Sequence, residues 1–149
     1  MIEVRAAGPD DAPAMAELRW EFRSPRGALT ETREAFVVRC AGWMRDELAA
    51  DWRAWLAVDD GRIVGQIWMK IIGKIPNPTA ERERHAYVSN VYVSPASRGG
   101  VGDRLVAAAL ESARREGVDS VILWPSEKSR TLYARHGFVA HGRLMELTL

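Results

Sequence analysis

Between Ala86 and Gly117 the chain changes its hydrophobic period once, and that change limits what it can fold into. Ala86 to Val93 is rich in β-branched and aromatic residues and reads as a strand. From Leu105 the apolar residues recur at helical spacing, as Leu105, Val106, Ala109, Leu110 and Ala113, and Gly117 closes the stripe. Ser94-Pro95 ends the strand, and an Arg98-Gly99-Gly100-Val101-Gly102 turn leads into the helix. A strand, a glycine turn and a helix start in this order make an anion cradle. Glycine lets the backbone come close to a guest and adopt positive φ. The unpaired N–H groups of the first helical turn point at whatever sits there, and Arg98 adds a cation able to bind in bidentate fashion. A phosphate or pyrophosphate is the natural guest.

The remaining segments predict a mixed α/β layout. Ile2 to Arg5 alternates as a short strand, and Gly8-Pro9-Asp10-Asp11 opens a helix whose Met15, Leu18 and Phe22 share a face. Ser24-Pro25-Arg26-Gly27 breaks it. A second helix begins near Thr30 or Thr32 and carries the stripe Phe36, Val37, Cys40, Met44 and Leu48. Trp55–Val58 and Ile63–Ile72 are strands joined by a hairpin signal, Asp59-Asp60-Gly61-Arg62. A polar loop with two prolines fills 73–85, and a loop of that length is either functional or a plain exposed connection. Ser89-Asn90, two polar residues inside a β run, predict a bulge or a functional face. Ser120 to Trp124 reads as a central strand. A helix follows from Pro125-Ser126-Glu127 to His136, and a final hairpin over 138–149 turns near His141-Gly142. The expected order is β-α-α-β-β-β-α-β-α-β-β, in one domain over 1–149.

Composition excludes some function classes. With 21 Lys+Arg against 20 Asp+Glu the formal charge is +1, so bulk attraction to nucleic acid or to a membrane surface is not expected. The single cysteine, Cys40, permits no intrachain disulfide, and inside an apolar stripe it reads as a packed residue rather than a nucleophile. No apolar signal region or bilayer-length stretch is present, so a cytoplasmic location is expected.

The glycine turn is not a Walker loop, because no Lys-Ser or Lys-Thr follows it, and it lacks the opening β-α-β unit of a dinucleotide site. A second motif lies downstream, where Tyr133 sits on a short helix four residues before Gly137-Phe138. A phenol so placed can protonate a leaving group. Together the two motifs, in this order and at this spacing, resemble the GNAT superfamily of acyl-coenzyme A N-acyltransferases. Val91-Tyr92-Val93-Ser94-Pro95 with Arg98-Gly99 resembles its strand and pyrophosphate loop, and Leu132-Tyr133 with Gly137-Phe138 its closing helix. The loop is one residue shorter than the family's usual Arg-Gly-x-Gly-x-Gly.

The resemblance implies a central, mostly antiparallel sheet splayed between strands 4 and 5 and flanked by about four helices. It implies acetyl-coenzyme A as co-substrate, with no metal, and a small-molecule or peptide primary amine as acceptor. By the same resemblance Val91, Tyr92 and Val93 would meet the pantetheine arm. Arg98, Gly99, Gly100, Val101, Gly102 and Asp103 would meet the pyrophosphate, with the Asp103 carboxylate turned away, and Ser126 and Ser129 would complete the coenzyme site. Tyr133 would be the general acid and Asn90 a catalytic position, beside a backbone N–H near Val91 that polarises the thioester. His85, Glu83, Glu81 or a water chain would serve as base. The first two helices and the 73–85 loop would form the acceptor pocket. Trp20, Phe22, Trp43 and Trp68 are candidates to line it, and Arg19, Arg23 and Arg26 to bind an anionic acceptor. A non-catalytic acyl-coenzyme A sensing domain is the alternative, and an exposed C-terminal hairpin would allow a homodimer.

Overall fold

A computed structural model describes all 149 residues. Five strands lie in the order β1 (Ile2–Ala6), β2 (Trp52–Asp59), β3 (Arg62–Gly73), β4 (Arg84–Val93) and β5 (Ser120–Ile122). The first four are antiparallel neighbours, and β5 runs parallel to β4. Helices α1 (Ala12–Arg23) and α2 (Arg33–Leu48) cover one face, while α3 (Val101–Glu116) and the short α4 (Arg130–Arg135) cover the other.

Local chemistry accounts for most of these boundaries. Asp60 and Gly61 both take positive φ, 46° and 78°, as the tight β2–β3 turn requires. The Thr32 hydroxyl caps α2 by accepting the Ala35 N–H at 3.2 Å. The predicted stripe of α3 is its buried face, with Leu105 and Ala109 sealed completely. Burial of Leu105 and Val106 stabilises this layer by about 1.5–3 kcal/mol each. On the opposite face the buried Gln66 amide donates to the Met15 carbonyl at 3.0 Å and accepts the Trp68 indole N–H at 3.0 Å. It thereby ties α1 to the sheet with no polar atom left unpaired.

Three expectations fail. The closing hairpin does not form: residues 139–149 contain no strand and are exposed throughout. Gly142 is not among the glycines with positive φ, so the two-residue turn that would start the hairpin is missing. A hairpin there would also rest only on the three residues of β5, too little to hold a two-stranded arm. For the same reason β5 is the edge of the sheet rather than a central strand. The 73–85 loop is shorter than expected, because β3 and β4 pair out to Gly73 and Arg84.

Candidate active site

Where β4 and β5 part, the sheet opens. Their ladder holds three pairs, His85 with Ser120, Ala86 with Val121 and Tyr87 with Ile122, and then stops. Two local causes drive them apart. Pro125, three residues past Ile122, has no N–H to continue a ladder. On β4, Gln66 pairs with Tyr92 and Trp68 with Ser89, so Ile67 alone faces Asn90 and Val91. This is the bulge that Ser89-Asn90 predicted, with Asn90 at φ 55° in the left-handed region. A bulge bends its strand, and it bends β4 beside the opening.

The glycine turn stands at the far end of β4. Gly99 and Gly100 take φ of 124° and 82°, and Gly100 caps α3. No N–H from Arg98 to Asp103 meets an acceptor within the protein, and the first helical bond is Arg104 to the Gly100 carbonyl, 3.2 Å. The Asp103 carboxylate turns out of this cradle to Arg135, 2.9 Å, and His136, 3.1 Å. The Arg135 bond holds it below the usual carboxylate range. The Arg98 guanidinium is exposed, and its Nε makes only a long 3.4 Å bond to the Val93 carbonyl. The cradle therefore offers unpaired donors and one cation, with its single carboxylate engaged elsewhere. That donor set fits a pyrophosphate.

Tyr133 belongs to the packed cluster that includes Val88, Val93, Val101 and Leu105, and its ring meets Phe138 edge-on at 5.6 Å. Burial raises its phenol above the ordinary range, so it stays protonated at neutral pH. Its hydroxyl makes no hydrogen bond to protein, and no buried side-chain oxygen lacks a partner, so the hydroxyl reaches the outside. Ser126 and Ser129, at the head of α4, bond to each other at 3.0 Å. The Tyr92 side chain points to the α1 face, stacked on Phe22 at 4.8 Å and donating to Glu21 at 2.9 Å, so only its backbone is free to meet a ligand in the opening.

A cavity of about 400 Å³ lies on the α1–α2 face and reaches Ser89 and Asn90 of β4. Helix α1 contributes Arg19, α2 contributes Phe36 and Trp43 among others, and the sheet contributes Trp52, Trp68 and Tyr87. Of the four aromatic residues expected to line an acceptor pocket, Trp43 and Trp68 line this cavity. Trp20 instead packs on Phe36 at 5.7 Å, and Phe22 on Tyr92. Trp52 and Tyr87 were not anticipated, because only the strand register brings them beside α2. Arg19, Arg23 and Arg26 gather around the Phe22 ring, and of the three only Arg19 enters the cavity. Cys40 also lines it, with its thiol held protonated by burial.

The 73–85 loop does not line this cavity. Asp119 holds it at the opposite end of β4, accepting the Arg82 and Glu83 N–H groups at 2.8 and 2.9 Å and the Lys74 ammonium at 3.0 Å. Glu81 and Glu83 bond within the loop to Asn77, and His85 bonds to Ser120 at 2.6 Å. His85 lies roughly 17 Å along the strand from Asn90. These three candidate bases are structural at the closed end of the splay.

Comparison with known proteins agrees with this geometry. Residues 13–138 match the model of the acetyltransferase (GNAT) family. A glucosamine 6-phosphate N-acetyltransferase of Trypanosoma brucei brucei is 39% identical over 90 residues, which span 60% of this chain and 59% of that protein. A GCN5-related N-acetyltransferase from Ralstonia eutropha superposes with a TM-score of 0.80 at 23% identity, over 99% of both chains. A predicted acetyltransferase from Clostridium acetobutylicum, solved with acetyl-CoA, does so at 0.77 and 20% identity, over 99% of this chain and 96% of its own. The family match, the splayed β4–β5 pair and the cradle at the start of α3 agree: the chain belongs to the acetyltransferase (GNAT) family.

Proposed function

We propose that the protein transfers the acetyl group of acetyl-coenzyme A to a primary amine of a small molecule or peptide by direct attack. One observation carries this reading. The cavity reaches Asn90 from the α1–α2 face, Tyr133 packs in the cluster on the α3–α4 face, and β4 and β5 stop pairing after Tyr87 and Ile122. A thioester lying in that opening would meet an amine from one face and a proton donor from the other. Past Tyr87, β4 has no strand partner on this side, so the backbone of Val91 and Val93 can pair with a pantetheine arm. The N–H groups of Arg98 to Asp103 would hold the pyrophosphate, and Ser126 and Ser129 would meet the coenzyme by giving up their mutual bond.

Within that arrangement an N–H at the Asn90–Val91 bulge donates to the carbonyl oxygen as it gains charge. The amine nitrogen bonds to the carbonyl carbon, the carbon–sulfur bond breaks, and Tyr133 gives its proton to the departing sulfur. The proton lost by the nitrogen passes to water, and the phenolate recovers one from solvent. Cys40 takes no part, since a protonated thiol is a weak nucleophile.

Tyr133→Phe tests the assignment. The hydroxyl has no protein partner, so the variant should keep its stability and its affinity for coenzyme A. Turnover, followed as thiol release from acetyl-coenzyme A with a panel of amines, should fall about 10²–10⁴-fold. Unchanged turnover would remove the general-acid role. No calorimetric binding of coenzyme A at millimolar ligand would remove the whole reading.

A further inference from the structure

We propose that the acceptor is a free amino acid with an aromatic or large apolar side chain, its carboxylate held by Arg19 and its side chain laid on the tryptophan wall. The inference rests on the cavity's being the acceptor site, and it narrows the acceptor from any primary amine to one carrying its own acid group.

Charge comes first. Arg19 is half-buried and takes part in no ion pair. Its one hydrogen bond to protein is Nη1 to the Asn90 amide oxygen, 3.1 Å. Desolvation and the nearby Arg23 both disfavour its charge, and no carboxylate offsets them, since only the Cys40 thiol and the Tyr87 phenol act the other way. The second cation of the cavity, Arg39, is already paired with Glu31. A guanidinium in this position has spare donors in a fork that matches a carboxylate. Because Nη1 already touches the bulge residue, a carboxylate on the rest of the fork places a nitrogen one carbon away beside the bulge.

Shape and polarity come second. Trp43, Trp52 and Trp68 are packed on one another with ring centroids 5.8–6.0 Å apart. Trp68 is almost wholly buried, so Trp43 and Trp52 supply the accessible apolar surface, with the Lys70 ammonium 5.9 Å from the Trp52 ring. Tyr87 extends the surface at 6.0 Å from Trp52, and Trp124 extends it to the end of β5 at 5.1 Å from Tyr87. Apart from Arg19, the polar groups are Ser89, the Asn90 amide whose oxygen Arg19 occupies, the paired Arg39, the Cys40 thiol and the Tyr87 phenol. A hexosamine phosphate would satisfy the charge but bring hydroxyls to a wall with few partners for them, and polar groups buried without partners cost affinity. An aromatic or branched aliphatic side chain has no such requirement.

The test compares L-phenylalanine and L-tryptophan with phenethylamine and tryptamine, which lack only the carboxylate, and with L-alanine and glucosamine 6-phosphate. Thiol release and the mass of the acetylated product are the readouts. The amino acids should exceed their decarboxylated partners about 10- to 100-fold in kcat/KM, the effect of one hydrogen-bonded charge. Arg19→Gln should bring that ratio close to one, with coenzyme A binding confirming that the variant is folded. L-Phenylalanine alone should quench the tryptophan fluorescence of the wild type. Equal rates with and without the carboxylate, or a preference for L-alanine or glucosamine 6-phosphate, would overturn the proposal. So would coenzyme A binding with no L-phenylalanine acetylated, and that outcome leaves the acetyl-transfer reading standing. Absence of coenzyme A binding would defeat that reading itself.

Discussion

Asn90 is a backbone device before it is a side chain, and a three-member series can separate the two roles. Its φ of 55° is the conformation in which a Cβ crowds the following carbonyl, at about 1–2 kcal/mol for an ordinary residue. Asn tolerates it, Gly adopts it freely, and a β-branched residue there is a true outlier. The side chain adds one charge-assisted bond to Arg19, worth about 1.5–3 kcal/mol. Asn90→Gly loses the bond and relieves the strain. Asn90→Ala loses the bond and keeps the strain. Asn90→Val loses the bond and adds branching at the worst torsion. Because all three lack the amide, differences among them report the backbone alone. Val should be less stable than Gly by about 2–3 kcal/mol, with Ala between them. Urea denaturation gives these differences, and against a typical stability of about 5–15 kcal/mol every variant should remain folded. If the Val variant escapes by losing the bulge, the register slips by one residue and the faces of Val91 and Val93 exchange. The KM for acetyl-coenzyme A should then rise in the Val variant and stay near wild type in the Gly variant. Equal stability and equal KM for Gly and Val would refute the claim that the bulge is held by this torsion and serves the coenzyme site.

Further outcomes follow from other torsions and charges. Gly100→Ala meets no steric obstacle, since nothing lies within 4 Å of the added Cβ, but at φ 82° it should cost about 1–2 kcal/mol and weaken coenzyme A binding in calorimetry. Asp119 titrates at about 2, held down first by the Arg82 N–H, so its stabilising effect is complete above the ordinary Asp value of about 4 and is lost as pH falls from there toward 2. Asp119→Asn should flatten the stability–pH curve in that window and speed hydrogen exchange at Arg82 and Glu83. Turnover should stay within about twofold, because the loop sits at the far end of β4 from Asn90. The raised Tyr133 phenol should keep the wild-type rate level through neutral pH, with any alkaline fall assignable to Tyr133 lying above the ordinary Tyr value of about 10.

What could be read from the sequence depended on how local its cause was. The α3 stripe, the Asp60-Gly61 turn and the bulge at Asn90 each arise from a few adjacent residues, and each is where its residues predicted. The cavity on the α1–α2 face is the opposite case. Trp43, Trp52, Trp68 and Tyr87 come from four elements, and only β2–β3–β4 register and the seating of α2 bring them together. A count of six tryptophans signals a large apolar surface but cannot say which four rings will share one wall. Arg19 was visible as one of three arginines, two of them in α1 and one in the turn that follows. Its lack of a carboxylate partner is a fact about everything packed around it. The tail failed for a related reason: a largely apolar run such as Leu144–Leu149 cannot by itself supply the partner edge and the positive-φ turn that a hairpin needs.

The shortened glycine turn shows how a missing residue can be absorbed without loss of donors. The family pattern spreads its glycines across six positions, whereas here Gly99 and Gly100 are adjacent and both take positive φ. Two such residues in succession reverse the chain within one step, which an ordinary residue at either position would resist. Val101 is then already helical and 4% exposed, anchored in the core beside Leu105. The turn has no slack, yet every N–H from Arg98 to Asp103 stays without a protein acceptor. It is fixed on both sides, by the Ser94 N–H on the Val64 carbonyl, 2.8 Å, and by buried Val101. For the proposed coenzyme role, a turn held in this way would meet its ordering cost when the protein folds rather than on binding. It also places that requirement on two glycines, so that Gly99 and Gly100, more than Arg98, should be the least replaceable residues of the cradle.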